Sequence, residues 1–264
     1  MNDQSLLRYS RHLLLTEWSE DVQARLARSR VLVVGMGGLG CTATQFLASA
    51  GVGELIISDD DTVELSNLQR QVLHDISSLG LPKVESAQKR LTAINPEVSI
   101  TPLALRMDGQ KLGHWIGQVD LVLDCSDNFA TRLAVNAACV AAKVPLVVGT
   151  AVQFQGQLLV IDPRLEGSPC YHCLFPSGST LGDQPCATMG VFAPLVGVVG
   201  CLQASCALKL LGGLSGQDVG VLSLWNLAQN ISHRINVPPD LRCPVCSVKR
   251  NGTYLSRFMF EPRA

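Results

Sequence analysis

Val31-Leu-Val-Val-Gly-Met-Gly-Gly-Leu-Gly40 reads as a short buried strand, a glycine turn and the entry to a helix expected over 41–50. That order gives a G-x-G-x-x-G match its physical context: Gly35 permits a tight turn, Gly37 lets backbone approach a phosphate, and Gly40 lets helix pack on strand. Free N–H groups at the helix start turn a positive dipole end toward an anion. Glycines alone also serve as plain turn residues, so the weight comes from Asp59. It ends the strand-like run Glu54-Leu-Ile-Ile-Ser-Asp59 at roughly the twenty-residue offset of a ribose-binding carboxylate. A bound nucleotide is expected, its kind left open.

Outward from this stretch, short β-branched runs alternate with helical ones. Strands are expected at 31–34, 54–59, 98–103, 119–124 and 145–149, and helices at 82–94 and 128–142, with Pro82 suited to a helix start. The alternation implies a parallel sheet with crossover helices, an α/β doubly wound, Rossmann-like fold whose ligands sit beyond the carboxyl ends of the strands. After Thr150 come a strand at 157–161, a cysteine-bearing loop with four prolines, a long apolar helix at 193–211, and strand-like runs near 219–225 and 231–237. These form a mixed or antiparallel C-terminal extension. Residues 1–29 look helical. No repeat or low-complexity linker interrupts the chain, so one unit is expected over 1–264, with a nucleotide-binding half at 30–150 and a second half at 151–264.

The 264 residues allow a large core, and a formal charge of -1 argues against bulk nucleic-acid binding. Val191 to Leu208 contains no charged residue but does contain Pro194, Gly197, Gly200, Gln203 and Ser205, with Lys209 next. It reads as a buried core or subunit-interface helix rather than a membrane span. The start Met1-Asn-Asp-Gln-Ser lacks the basic-then-apolar pattern of a signal peptide, so a cytoplasmic location is expected.

Ten cysteines then need a reason other than a secreted disulfide framework. Cys170-Tyr-His-Cys173 and Cys243-Pro-Val-Cys246 have the spacing of two zinc knuckles, separated by residues 174–242. One closed zinc site of four thiolates would be structural and would staple the tail onto the middle of the chain. A redox C-x-x-C, or buried thiols, is the alternative. Asp59-Asp-Asp61, Asn67-Leu-Gln-Arg70 and Lys83 form a second constellation, placed by a parallel strand at the ligand crevice; amide and cations suit ribose and polyphosphate, with surface salt bridging the plain reading. Asp124, Asp127 and Asn128 lie where a buried strand runs into a helix, as cap, Mg²⁺ ligands or both. Cys186 lies in the polar loop Gly182-Asp-Gln-Pro-Cys-Ala-Thr188 and is a candidate nucleophile or an incidental loop thiol. Cys41, Cys125, Cys139, Cys201 and Cys206 read as inert packing.

Over nearly its whole length the sequence resembles the bacterial E1-like adenylyltransferases of ubiquitin-like sulfur-carrier proteins, the ThiF, MoeB and HesA group. The carrying stretches are Arg8-Tyr-Ser-Arg11, Gly35-Met-Gly-Gly-Leu-Gly40, Ala50-Gly-Val-Gly-Glu54, Asp59-Asp-Asp-Thr62, Leu65-Ser-Asn-Leu-Gln-Arg-Gln71, Pro82-Lys83, Asp124-Cys-Ser-Asp-Asn128 and both C-x-x-C pairs. The resemblance implies ATP with Mg²⁺, a structural Zn²⁺, and adenylation of a carrier's C-terminal Gly-Gly carboxylate with release of pyrophosphate, for thiamin or molybdopterin synthesis. By motif it implies Asp59 on the ribose, Gly38 facing the phosphates, and Asn67, Arg70 and Lys83 on the triphosphate. It further implies Asp127 organising Mg²⁺, Arg11 reaching the partner subunit's ATP in a homodimer, and Cys186 in sulfur transfer with a cysteine desulfurase or rhodanese-type donor. The alternative is an NAD-dependent oxidoreductase on the same glycine turn, which lacks an evident hydride-transfer acid/base motif and leaves the phosphate-type cations unexplained.

Overall fold

The computed structural model describes residues 2–177, 189–214 and 218–247. Strands β1 (Arg30–Val34), β2 (Glu54–Ser58), β3 (Ser99–Leu103), β4 (Leu121–Asp124), β5 (Leu146–Val152), β6 (Gln155–Ile161), β7 (Val221–Asn226) and β8 (Ile231–Asn236) form one sheet in the order β3-β2-β1-β4-β5-β6-β7-β8. The first five are mutually parallel and the last three antiparallel. The expected parallel sheet with an antiparallel extension is therefore present, and its strand order reverses between β1 and β4.

Alternation in the strands sets the two cores. Val31, Val33, Leu55, Ile57, Leu121 and Leu123 belong to one buried cluster; Leu32, Val34, Ile56 and Val122 belong to another on the opposite face. The first face is covered by α2 (Glu20–Leu26), α3 (Gly38–Ser49), α4 (Lys83–Ile94) and α8 (Ala193–Gly212), the second chiefly by α5 (Gly109–Ile116), α6 (Phe129–Ala142) and the short α7 (Tyr171–Leu174). Residues 2–29 hold α1 (Asp3–Leu13), capped by Asn2, and α2, capped by Ser19.

Helix α3 begins at Gly38, three residues before the expected start at Cys41, so the last two glycines of the motif lie inside its first turn. The sequence misleads because glycine suggests loop, whereas here close approach demands it. Gly35 adopts φ +97° and a Cβ there would lie 2.8 Å from the Cys125 carbonyl oxygen; a Cβ on Gly40 would lie 1.9 Å from the Gly35 carbonyl oxygen. Helix α5 is not legible as a run because Gly109 and Gly113 interrupt it. Asp108 caps it, and Leu112 and Ile116, one turn apart, bury it.

Helix α8 has the length and apolar composition of a membrane span, and more than half of its apolar window is buried. It packs against α3, β5 and β6. Gln203, fully buried within it, donates through Nε2 to the backbone oxygens of Asp124 (2.9 Å) and Val147 (3.3 Å). A polar side chain satisfied by strand carbonyls fits a core helix and explains its place in an otherwise apolar run.

Candidate functional site: a cleft at the strand-order reversal

A cleft of about 650 Å³ opens at the carboxyl ends of β1, β2 and β4. Gly35, Gly37, Gly38, Asp59, Asp61, Asn67, Arg70, Lys83, Asp127 and Asn128 all line it. This is where doubly wound sheets bind ligands, because the flanking loops part on either side of the reversal.

Gly37 caps α3 without a side chain, and a Cβ on it would find only Gln71 Nε2, 3.7 Å away. The approach to this amide from the cleft is open. Gly38 differs: a Cβ there would meet Val196 at 2.8 Å and the Arg70 carbonyl oxygen at 3.2 Å, so close packing between α3 and α8 requires glycine at a position that also lines the cleft. Gly40 is not among the lining residues and serves the packing of the turn.

Asp59 follows β2. Its Oδ2 accepts the Met36 N–H at 2.7 Å and its Oδ1 the Asp61 N–H at 2.9 Å, which ties the glycine turn to the β2 loop. Burial pushes this carboxyl above the usual range while Lys83 opposes the shift. Met36 is gripped from the other side as well, since its carbonyl lies 3.3 Å from Nε2 of the buried His74.

A short 3-10 turn, Leu65–Asn67, presents the amide and the arginine. Asn67 Oδ1 accepts the Glu64 N–H at 3.2 Å, and Arg70 Nη1 donates to the Ser66 carbonyl at 3.0 Å. Lys83 opens α4, and its Nζ lies 2.7 Å from Asp61 Oδ2. The ammonium side chain is 7% exposed and its carboxylate partner 67%, so the plain salt-bridge reading is half right. A buried cation held by a solvated anion at a cleft wall is available to a ligand anion able to replace that carboxylate.

The segment 124–128 divides its roles. Asn128 is the cap of α6, accepting the Thr131 N–H at 2.9 Å. Asp124 is fully buried; its Oδ1 accepts both the Ser126 N–H (3.0 Å) and hydroxyl (2.6 Å), and burial pushes its carboxyl up while Arg132 pulls it back. Asp127 is exposed in the cleft. The structure thus assigns the cap to one residue and leaves a different carboxylate facing the ligand space. Ser126, Arg132 and Arg106 also line the cleft. Sequence reading missed all three, because a serine, an arginine within a helical run and an arginine in a loop carry no spacing signal.

Arg11 lies exposed in the last turn of α1 and does not line the cleft of its own chain. Cys186 falls outside the described residues. Of the thiols expected to be inert, Cys41, Cys125, Cys139 and Cys206 are buried and Cys201 half-buried. Burial pushes the Cys41 thiol up to about 12 and the Cys206 thiol to about 11, far from a thiolate nucleophile.

The four paired cysteines converge. Cys170 and Cys243 sulfurs are 3.6 Å apart, Cys173 and Cys246 3.5 Å, Cys170 and Cys173 3.9 Å, and all four lie within 4.8 Å of one another. Tetrahedral Zn–S bonds of about 2.3 Å place sulfurs about 3.8 Å apart, so the donor set fits zinc in type and spacing. His172, for which the sequence gives no role, lies with Nδ1 3.8 Å from the Cys243 sulfur while its Nε2 accepts the Ser177 N–H at 3.2 Å. Beside a metal held by these sulfurs, an imidazole oriented in this way would stand in the outer layer of the site.

The model of the ThiF family matches residues 9–246. The chain is 46% identical to the molybdopterin-synthase adenylyltransferase of Escherichia coli K12 over 248 residues, covering 93% of this chain and 98% of that protein. It is 44% identical to the sulfur carrier protein ThiS adenylyltransferase of the same organism over 246 residues, covering 93% and 97%. Among solved structures, Escherichia coli MccB with ATP superposes with a TM-score of 0.80 at 27% identity, covering 90% of this chain and 73% of that one. The two curated relatives are adenylyltransferases, so the oxidoreductase alternative finds no support here. With a glycine turn, a carboxylate and two cations gathered in one cleft and a family match over most of its length, this chain belongs to the ThiF family.

Proposed function

We propose that the protein adenylates the C-terminal Gly-Gly carboxylate of a ubiquitin-like sulfur-carrier protein, using ATP and releasing pyrophosphate. The observation that carries the reading is the convergence of Gly37, Asp59, Asn67, Arg70, Lys83 and Asp127 on one cleft at the strand-order reversal. The names of the two curated relatives support it.

A carboxylate oxygen of the carrier attacks the α-phosphorus, the bond to the β-phosphate breaks, and the electron pair leaves with pyrophosphate. Two anions must meet, so the barrier is chiefly electrostatic, and fixed cations aimed at the phosphates lower it. The glycine-turn amides receive phosphate, Asp59 accepts from the ribose hydroxyls, and Asn67 and Arg70 orient the β- and γ-phosphates. Lys83 exchanges Asp61 for phosphate. Asp127, with Asn128 adjacent, would hold Mg²⁺, which neutralises charge on the triphosphate when bound. In a homodimer Arg11 of each chain would serve the cleft of the other, which accounts for an exposed arginine on α1 that does not line its own cleft. The four clustered cysteines would hold a structural Zn²⁺.

The two halves divide the labour, residues 30–150 binding nucleotide and 151–264 receiving the carrier, in the cytoplasm. A cysteine desulfurase or rhodanese-type donor would then deliver sulfur to the adenylated carrier. ATP–pyrophosphate exchange tests the first step: exchange that depends on a Gly-Gly-ended carrier supports it, and carrier-independent or absent exchange sinks it. Cys186 serves the later step. Cys186→Ser is expected to keep exchange within about twofold of the parent while sulfur delivery to the carrier fails, because a hydroxyl cannot hold persulfide sulfur. Loss of exchange in this variant would make the cysteine structural instead.

A further inference from the structure

Among the described residues, two side chains that line the cleft carry a buried polar atom without a hydrogen-bond partner, Gln71 Oε1 and Arg132 Nε, and so does the fully buried Asp124, at Oδ2, one residue before the lining residue Cys125. Native interiors satisfy nearly all such groups, so orphans at a ligand cleft mark a functional constraint. Arg132 stands one turn inside α6, 9% exposed, and its Nη2 donates to the Ser126 carbonyl at 2.9 Å. That carbonyl belongs to the peptide joining Ser126 to Asp127. The same turn is held from the other side by Asp124 Oδ1, which takes both donors of Ser126. Backbone is thus clamped immediately before the exposed carboxylate, by the carboxyl group at 124 and the guanidinium at 132. Further along the same helix, Asn136 Oδ1 accepts the N–H of Tyr171, the neighbour of Cys170, at 2.8 Å. Helix α6 therefore joins the loop that presents Asp127 to the element carrying the first cysteine pair.

We propose that Arg132 is a positioning residue: by holding the Ser126 carbonyl it fixes the 124–128 turn and presents the Asp127 carboxylate to the nucleotide cleft. The chemical consequence rests on the adenylation reading of that cleft; the clamping of the turn does not. Only one nitrogen of the guanidinium is engaged with this carbonyl, so a lysine ammonium can replace the contact where a neutral, shorter amide cannot.

Arg132→Gln and Arg132→Lys in the full chain test this by two readouts. In hydrogen exchange without nucleotide, the amides of 126–128 are expected to exchange faster in Arg132→Gln, with β4 and the middle of α6 unchanged and Arg132→Lys close to the parent. In ATP–pyrophosphate exchange, kcat is expected to fall about 100-fold in Arg132→Gln with the KM for ATP changed less than about threefold, and to recover to within about tenfold in Arg132→Lys. Unchanged exchange at 126–128 in a folded Arg132→Gln overturns the proposal. So does a KM increase that matches the kcat loss without rescue by lysine, which would mean direct contact with ATP. If Arg132→Gln fails to fold, Arg132→Lys decides: intact turn protection with near-parental kcat supports positioning, and lost protection overturns it. A parent chain without pyrophosphate exchange fails the adenylation reading alone, since the hydrogen-exchange arm still judges the clamp.

Discussion

Asp127→Ala is expected to lower carrier-dependent ATP–pyrophosphate exchange by about 10³-fold or more, while the thermal midpoint stays within about 2 °C of the parent. The two halves of that result come from different atoms. The carboxylate is exposed in the cleft and its removal leaves no cavity. The helix that follows keeps its cap, because Asn128 and not Asp127 accepts the Thr131 N–H. What is lost is a negative charge at the end of β4 in the cleft, where it would help to hold a divalent cation that neutralises the triphosphate. Full exchange by the variant would remove this carboxylate from the reaction. A large fall in the midpoint would make it a structural residue of the turn.

Cys173→Ser carries the second large effect. Zinc content is expected to fall from about one per chain to near zero, since a serine hydroxyl is a poor replacement for a thiolate in a tetrahedral sulfur site. The metal would join a short element at 171–174 to the segment after Asn236, adding to the anchor at Val237, which is buried in the core and donates its N–H to the Gly220 carbonyl at 2.8 Å. The sheet's two cores persist without the metal, so the expected loss is about 3–5 kcal/mol, roughly 10 °C in midpoint at this size. A variant that keeps its zinc, or one that loses it with the midpoint unchanged, would contradict a structural metal.

Much of the fold is legible because burial on both faces leaves a strong trace. Continuous apolar runs such as Val31–Val34 and Leu121–Leu123, alternating with helical patterns, fit an interior parallel sheet flanked by helices, which is where they lie. Helix α5 and the true start of α3 are hidden by glycines. At Gly38 and Gly40 the residue type is set by contacts with Val196 and Gly35, and such contacts are invisible in sequence. The same distinction separates the site residues. Gly37, Asp59, Arg70 and Lys83 stand out because a nucleotide, on the proposed reading, would require such residue types at fixed offsets from strand ends. Arg132 and Ser126 do not, because their partners are a backbone carbonyl and a buried carboxylate, reached only once β4 and α6 have packed. His74 likewise steadies Met36 across 38 positions of sequence.

The central claim is that this cleft transfers an adenylyl group to a protein carboxylate. Incubating the chain with MgATP and a small Gly-Gly-ended carrier, then weighing the carrier by mass spectrometry, tests it most directly. The account predicts a carrier heavier by one adenylyl group, with pyrophosphate released in equal amount and no product from a carrier lacking its last glycine. An unmodified carrier, together with tight binding of NADH and none of ATP, would contradict it.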